Sequence, residues 1–283
     1  MSALKPVVEN TLKVVESRKR DRDYCREVER RLRQAGKSRM LSKVQNGNSI
    51  IAEAKFASPS EGFISDCRLE NVVNDYVKGG AAALSILTEE KYFKGSLGYI
   101  EQARKIARIP ILRKDFILDE FQLKEARAFG ADGVLLIACL LENKLGEFIG
   151  NVKSYGLWAL VETHSEKEVE NALDSGARVI GINNRNLSTL KLELGTTRAG
   201  ISPHLGVSSR SAGFKPPDLN TTIRLCHLIP KNKIFVTESG INTPKDIKKL
   251  KQECERKPDY YLIGTSLMKA VNIKEKLKQL VNA

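Results

Sequence analysis

The chain has 283 residues, 41% hydrophobic and 29% charged, with a formal net charge of +13. This balance fits one large folded domain or two small ones, and the longest uninterrupted apolar run, Val134 to Leu141, is far too short to span a membrane. Arg18, Lys19 and Arg20 follow weakly apolar positions without a hydrophobic core or cleavage site, so no signal peptide is expected and the expected location is cytoplasmic.

The five cysteines (Cys25, Cys67, Cys139, Cys226 and Cys254) are scattered, with no Cys-x-x-Cys, and read as reduced thiols. His164, His204 and His227 form no metal-spaced pair, so no metal site is expected. The positive charge gathers at the two ends: residues 1–45 hold 13 basic and 6 acidic side chains, and residues 242–283 hold 10 and 5. Basic surfaces attract anions. No RNA-binding signature with interleaved aromatics accompanies them, so the charge reads as solvated helix faces and nucleic acid is not an expected partner.

In chain order, residues 4–43 predict helix. Leu4, Val7, Val8, Leu12 and Val15 recur at helical spacing, and a second, very polar helix covers Asp21 to Gln34, with Gly36 as its stop and Val28 and Leu32 as its apolar positions. Residues 1–45 thus form a helical extension ahead of the main fold at 46–283.

Eight candidate strands follow, starting near Ile50, Ala82, Ile111, Val134, Leu157, Val179, Ile234 and Tyr260. Helix patterns with clear punctuation separate most of them. Asp66 and Asp119 are candidate caps for helices ended by Gly79-Gly80 and Gly130; Ser165 with Glu168 is a capping box closed by Gly176; Thr243-Pro244 with Asp246 starts another helix. Strands alternating with helices mean parallel β-α units, and eight such units predict an α/β fold, a closed (β/α)8 TIM barrel. A doubly wound open sheet usually carries a Gly-rich dinucleotide loop, and none follows the first strand. The widest interval, Val179 to Ile234, contains a Ser/Gly/Pro-rich tract at about 198–219 that reads as a tolerated surface insertion.

In such barrels the site lies at the carboxyl ends of the strands. Those ends are polar, except the fourth, which ends in Ala138-Cys139. The first gives Glu53 and Lys55, on one face with Ile51, then Ser58; the second ends at Thr88 before Glu89 to Phe93. The third gives Lys114, sharing a face with Leu112 and Phe116; the fifth Glu162; the sixth Asn183 and Arg185. The seventh gives Glu238-Ser239-Gly240 and the eighth Gly264-Thr265-Ser266. Inward charges at the top of buried strands are costly unless paired or used by a site. Small residues after the last two strands suit a phosphate.

These stretches resemble the indole-3-glycerol-phosphate synthase family. The resemblance is carried by Ile50–Gly62, Leu84–Ser96 (LSILTEEKYFKGS), Ile111–Leu118 (ILRKDFIL), Leu160–Thr163 (LVET), Ile180–Leu187 (IGINNRNL), Glu238–Ile241 (ESGI) and Leu262–Lys269 (LIGTSLMK). It implies ring closure of 1-(2-carboxyphenylamino)-1-deoxyribulose 5-phosphate with loss of carbon dioxide and water, without metal or organic cofactor. Carried over by motif, Lys114 is the general acid at the ribulose carbonyl, Glu162 the base for dehydration, and Glu53 an aid to proton transfer. Lys55 and Arg185 address the substrate's anions, and Asn183 orients the reacting region. Ser58, Ser239, Gly240, Gly264 and Thr265 fall at the phosphate loops, Phe93 and Phe116 pack on the aromatic ring, and Glu238 joins the substrate-binding set. The implied partner is a phosphorylated small molecule, with the protein a monomer or weak homodimer. Phe56, Cys139 and the tract at 198–219 depart from the family pattern. Another phosphate-binding barrel, such as an isomerase using a Cys/Asp pair, and a basic non-catalytic barrel stand as alternatives.

Overall fold

The computed structural model describes residues 5–42, 46–185 and 216–283. Its elements run α1 (Lys5–Arg20), α2 (Arg22–Gln34), β1 (Ser49–Ala54), a small hairpin of β2 (Ala57–Ser58) and β3 (Gly62–Phe63), α3 (Leu69–Gly79), β4 (Ala83–Leu87), α4 (Gly98–Ile106), β5 (Ile111–Lys114) and α5 (Phe121–Ala128). They continue with β6 (Gly133–Ile137), α6 (Ala138–Leu141), α7 (Leu145–Ser154), β7 (Trp158–Thr163), α8 (Glu166–Asp174), β8 (Val179–Asn183), α9 (Asn220–Leu225), β9 (Ile234–Glu238), α10 (Pro244–Glu253), β10 (Tyr260–Ile263), α11 (Thr265–Met268) and α12 (Ile273–Val281).

Eight strands close a parallel barrel in the order β1-β10-β9-β8-β7-β6-β5-β4, each beside its neighbour in sequence, with β1 pairing both β4 and β10. This is the (β/α)8 TIM barrel expected from the alternation of strands and helices, with every strand start within one residue of its predicted place. Strand alternation builds two apolar layers. Ile51, Leu112, Leu135, Leu160, Val179, Val236, Tyr260 and Leu262 fill the interior, while Ile50, Ile86, Ile111, Val134, Val161, Ile180, Phe235 and Ile263 pack outward under the helices. Interior parity carries Glu53 above Ile51, Lys114 above Leu112, Glu162 above Leu160 and Glu238 above Val236, so the fold brings these charges to one end.

The N-terminal helices embrace this barrel. Val7, Thr11 and Val15 form the buried stripe of α1 at a spacing of four, whereas Leu12, predicted on that face, is 43% exposed. The periodicity left both faces open, and contact with the barrel selected the Val7 face. Leu4 lies outside the described residues. Asp21 caps α2 by accepting from the Asp23 and Tyr24 amides, and α2 lies on α5. The C-cap of α2 is extended Ala35, so Gly36 is not a left-handed stop. Beyond it, the Arg39 amide donates to Asp132, and the Trp158 indole donates to the Arg39 carbonyl. Leu41 packs against the interior layer, so this segment closes the amino-terminal mouth of the barrel. Gly133 is required there: a Cβ would meet the Trp158 ring at 2.4 Å.

Among the predicted caps, Thr243 with Asp246 forms a full box and Asp119 accepts from the Phe121 amide. Asp66 does not cap α3, whose N-cap is Arg68 without a side-chain bond, because the chain runs extended for two more residues. Ser165 accepts from the Glu168 amide, but the Glu168 carboxylate reaches the His164 amide rather than that of Ser165. Most of the predicted insertion, through residue 215, lies outside the described residues; its last residues run back to the barrel, where the Asp218 amide donates to the Asn184 carbonyl.

Candidate active site

A cleft of about 360 Å³ opens at the carboxyl ends of the strands. All fourteen predicted site residues line it: Glu53, Lys55, Ser58, Phe93, Lys114, Phe116, Glu162, Asn183, Arg185, Glu238, Ser239, Gly240, Gly264 and Thr265. At its centre Lys114 Nζ donates to Glu162 Oε2 at 2.9 Å and to Glu238 Oε2 at 2.8 Å. Both carboxylates are almost completely buried, and Lys114 itself is mostly so. Glu238 Oε1 is buried without a hydrogen-bond partner among the described residues.

The electrostatics separate these groups. Burial pulls the Lys114 ammonium down, but Glu162, Glu238 and Glu53 outweigh it and hold the lysine above its ordinary value. Burial pushes Glu162 up; Lys114 and His164, with a hydrogen bond from Asn183, outweigh that and hold it low. Glu238 goes the other way, pushed up to about 7 by burial and by the charge of Glu162 against the pull of Lys114. One lysine thus stands between a carboxylate that stays ionised and one that holds its proton near neutrality. Such a set offers an acid and a base at one point.

A second pair lies beside it. Lys55 Nζ is 3.1 Å from Glu53 Oε1, and Ser85 donates to Glu53 Oε2 at 3.5 Å. Burial pushes Glu53 up, but Lys55 and Lys114 hold it low. Two glycines make room for the carboxylates: a Cβ at Gly181 would meet Glu238 Oε1 at 2.2 Å, and one at Gly264 would meet Glu53 Oε1 at 2.5 Å.

At the rim, Arg185 donates to Ser60 Oγ at 2.6 Å, with Glu61 Oε1 at 3.8 Å. Lys269 donates to Glu61 Oε2 at 2.8 Å. Phe93 and Phe116 face one another with ring centroids 6.1 Å apart, an apolar wall. Ser239 and Gly240 both take left-handed backbone, with φ of 66° and 81°, which turns the chain sharply at the end of β9. The helix after Gly264 is a single turn, Thr265–Met268.

Outside the cleft lining, Cys139, His164 and Glu168 bring donor atoms within 4.8 Å of one another. Glu168 there accepts from the Ser165 hydroxyl and the His164 amide and contacts the His164 ring. Burial, then Glu168 and Glu162, push the Cys139 thiol up to about 12, so it keeps its proton. His164 and Glu168 are bonded to each other in the barrel wall, with Cys139 beside them.

The family model for indole-3-glycerol phosphate synthase matches residues 4–210 and 201–280. The chain belongs to the indole-3-glycerol phosphate synthase family. A protein of that name from Methanocaldococcus jannaschii is 41% identical over 294 residues, covering 99% of each chain. One from Aquifex aeolicus is 42% identical over 236 residues, covering 83% of this chain and 82% of that one. Among solved structures, 3-hexulose-6-phosphate synthase from Salmonella typhimurium superposes with a TM-score of 0.58 at 13% identity, over 82% of this chain and 96% of that one. Thiamine phosphate pyrophosphorylase from Pyrococcus furiosus gives 0.54 at 13%, over 82% and 93%. At such identity these two likenesses show the barrel alone.

Beyond the residues carried over from the synthase family, the cleft includes Val7, Ser60, Glu61, Pro217 and Lys269. Ser60 and Glu61 stand inside the Ile50–Gly62 stretch, and Lys269 ends Leu262–Lys269, so proximity to known motifs was the available signal. Val7 carries no chemical signal; only the docking of α1 places it there. No helix among the described residues is long and apolar enough to cross a membrane.

Proposed function

We propose that the chain closes the indole ring of 1-(2-carboxyphenylamino)-1-deoxyribulose 5-phosphate as a carbon–carbon lyase, releasing carbon dioxide and water and giving indole-3-glycerol phosphate. The reaction belongs to tryptophan biosynthesis. The observation that carries the reading is Lys114 held between Glu162 and Glu238 in the cleft centre. Lys114 protonates the ribulose carbonyl oxygen as the aromatic carbon attacks; carbon dioxide then leaves the cationic intermediate. Lys114 protonates the departing hydroxyl, and Glu162 removes the ring proton that completes the indole. Glu53, paired with Lys55, assists proton transfer, and Asn183, bonded to Glu162, orients the reacting region. Phe93 and Phe116 pack on the aromatic ring, and Lys55 and Arg185 meet the anionic groups. Ser58, Ser239, Gly240, Gly264 and Thr265 take the phosphate.

Protonated lysine and ionised glutamate supply every proton step, so the chemistry requires neither metal nor organic cofactor. An isomerase reading has less support: Cys139 stands outside the cleft lining with a thiol that keeps its proton. The same reading takes residues 1–45 as an extension packed on a 46–283 barrel with an insertion at 198–219, in a cytoplasmic monomer or weak homodimer. The test is to incubate the purified protein with the carboxyphenylamino substrate and follow indole fluorescence. Product formation lost in Lys114→Ala supports the assignment; absence of product from the unmodified protein overturns it.

A further inference from the structure

We propose that His164 and Glu168 form a proton relay that links Glu162 to solvent through the barrel wall. The proposal rests on the reaction assigned above, because that reaction is not proton-neutral. Lys114 gives up one proton to the carbonyl oxygen and one to the departing hydroxyl, and Glu162 recovers only one. The substrate carboxylate leaves as neutral carbon dioxide, so each turnover draws one proton from water. A substrate seated over Lys114 would stand between the lysine and the cleft mouth, so an entrance from the other side would let that proton arrive while the cleft is occupied.

The geometry supplies one. His164 follows β7 directly, with Nε2 3.5 Å from Glu162 Oε1 and Nδ1 3.1 Å from Glu168 Oε2. Side-chain exposure rises in the same order, 3% for Glu162, 11% for His164 and 21% for Glu168. His164 Nε2 is buried and has no hydrogen-bond partner among the described residues, so the fold does not consume it. The groups that face the ring are Glu162 from β7, Cys139 from α6 and Glu168 from α8, with the Glu238 charge acting from β9. Burial lowers the His164 pKa, but Glu168 and Glu162 outweigh it, and the ring carries a proton more readily than a free histidine. In the relay the imidazolium, its Nδ1–H donating to the Glu168 carboxylate, releases its Nε2 proton to Glu162: the Nε2–H bond breaks as the Glu162 O–H bond forms, and the ring is left neutral. Glu162 passes the proton to Lys114 across 2.9 Å, and the ring resets by exchange with solvent between turnovers.

The competing role is structural, with His164 merely closing the Glu168 cap on α8. His164→Asn keeps a donor toward Glu168 and breaks the path; His164→Ala opens space for exogenous imidazole. In the fluorescence assay, with unmodified protein first shown to make product, His164→Asn should lose about tenfold in kcat with KM unchanged. Millimolar imidazole should restore much of the rate of His164→Ala, and the solvent deuterium isotope effect on kcat should rise in both variants. Wild-type turnover by His164→Asn, or a loss that imidazole does not relieve and that leaves the isotope effect unchanged, overturns the relay while leaving the assigned reaction standing. No product from the unmodified protein would instead overturn the assignment itself. If His164→Ala does not fold, His164→Asn and Glu168→Gln decide by the isotope effect alone.

Discussion

Lys114 and Glu238 are 124 positions apart in sequence, and their charged atoms are 2.8 Å apart in space. The sequence placed Glu238 with the substrate-binding residues; the structure makes it one of two carboxylates on the same ammonium. Its protonation links site chemistry to stability. Glu238 has a folded pKa of about 7 against 4.5 for a free carboxyl. Its contribution to stability is therefore full below about 4.5 and is lost as pH rises through about 7. Glu238→Gln mimics the protonated form at every pH. The melting temperature of Glu238→Gln relative to the unmodified protein should therefore climb between pH 5 and pH 8. A difference that stays flat across that range would show that Glu238 is ionised throughout.

Lys114 is an acid and also the counterion of two buried carboxylates. Lys114→Ala should lower turnover by about 10²–10⁴-fold. It should also destabilise the fold, because stripping one partner from a buried ion pair costs about 3–5 kcal/mol. Part of that loss should return in the double variant Lys114→Ala, Glu162→Gln, which removes the carboxylate that Lys114 keeps ionised, while activity stays lost. Denaturant melts of the three proteins check this. Equal stability of the single and double variants would mean that Glu162 is not coupled to the lysine.

Much of this site was legible because barrel strands bury alternate residues, and an inward charge on such a strand needs a reason. Glu53, Lys114, Glu162 and Asn183 all obey that parity. Strand starts were legible for a similar reason, since glycines and caps punctuate each β-α unit. What stayed hidden depends on contacts between distant segments. Arg113 points outward from β5 into the apolar layer under the helices, where an unpaired charge is costly, and it is 1% exposed and paired with Asp115 and Glu125. The helices α1 and α2 complete that enclosure, with Arg18 and Tyr24 also bonded to Glu125. The meeting of Cys139 with His164 depends on the neighbouring ends of β6 and β7, which no spacing within one motif reveals.

Gly264 was read from the sequence as a phosphate-loop residue, and the structure adds a second constraint. A Cβ there would meet Glu53 Oε1 at 2.5 Å. Gly264→Ala should therefore displace the Glu53 carboxylate from Lys55 and lower kcat by about tenfold, the low end for a proton-transfer group. If Gly264 serves phosphate alone, the same change should raise KM and inorganic phosphate inhibition should weaken while kcat holds. Steady-state kinetics with phosphate as competitor separate the two outcomes.

Glu61 engages the two cations at the cleft rim, Lys269 at 2.8 Å and Arg185 at 3.8 Å. Burial pushes its carboxyl up, but Lys269, Arg185 and Lys55 hold it below its ordinary value, so it is ionised at neutral pH. An anionic substrate entering the cleft must compete with this carboxylate for the same cations. Glu61→Gln removes the competing charge and keeps the side-chain shape. Because Glu61 is 28% exposed, solvent screens the interaction and the effect is modest. KM should fall by about two- to fivefold at low salt, with kcat unchanged, and the gain should shrink as ionic strength rises. Inorganic sulfate should likewise become a better competitive inhibitor. A rise in KM would reverse the reading, making Glu61 a residue that holds Arg185 and Lys269 in place for the substrate.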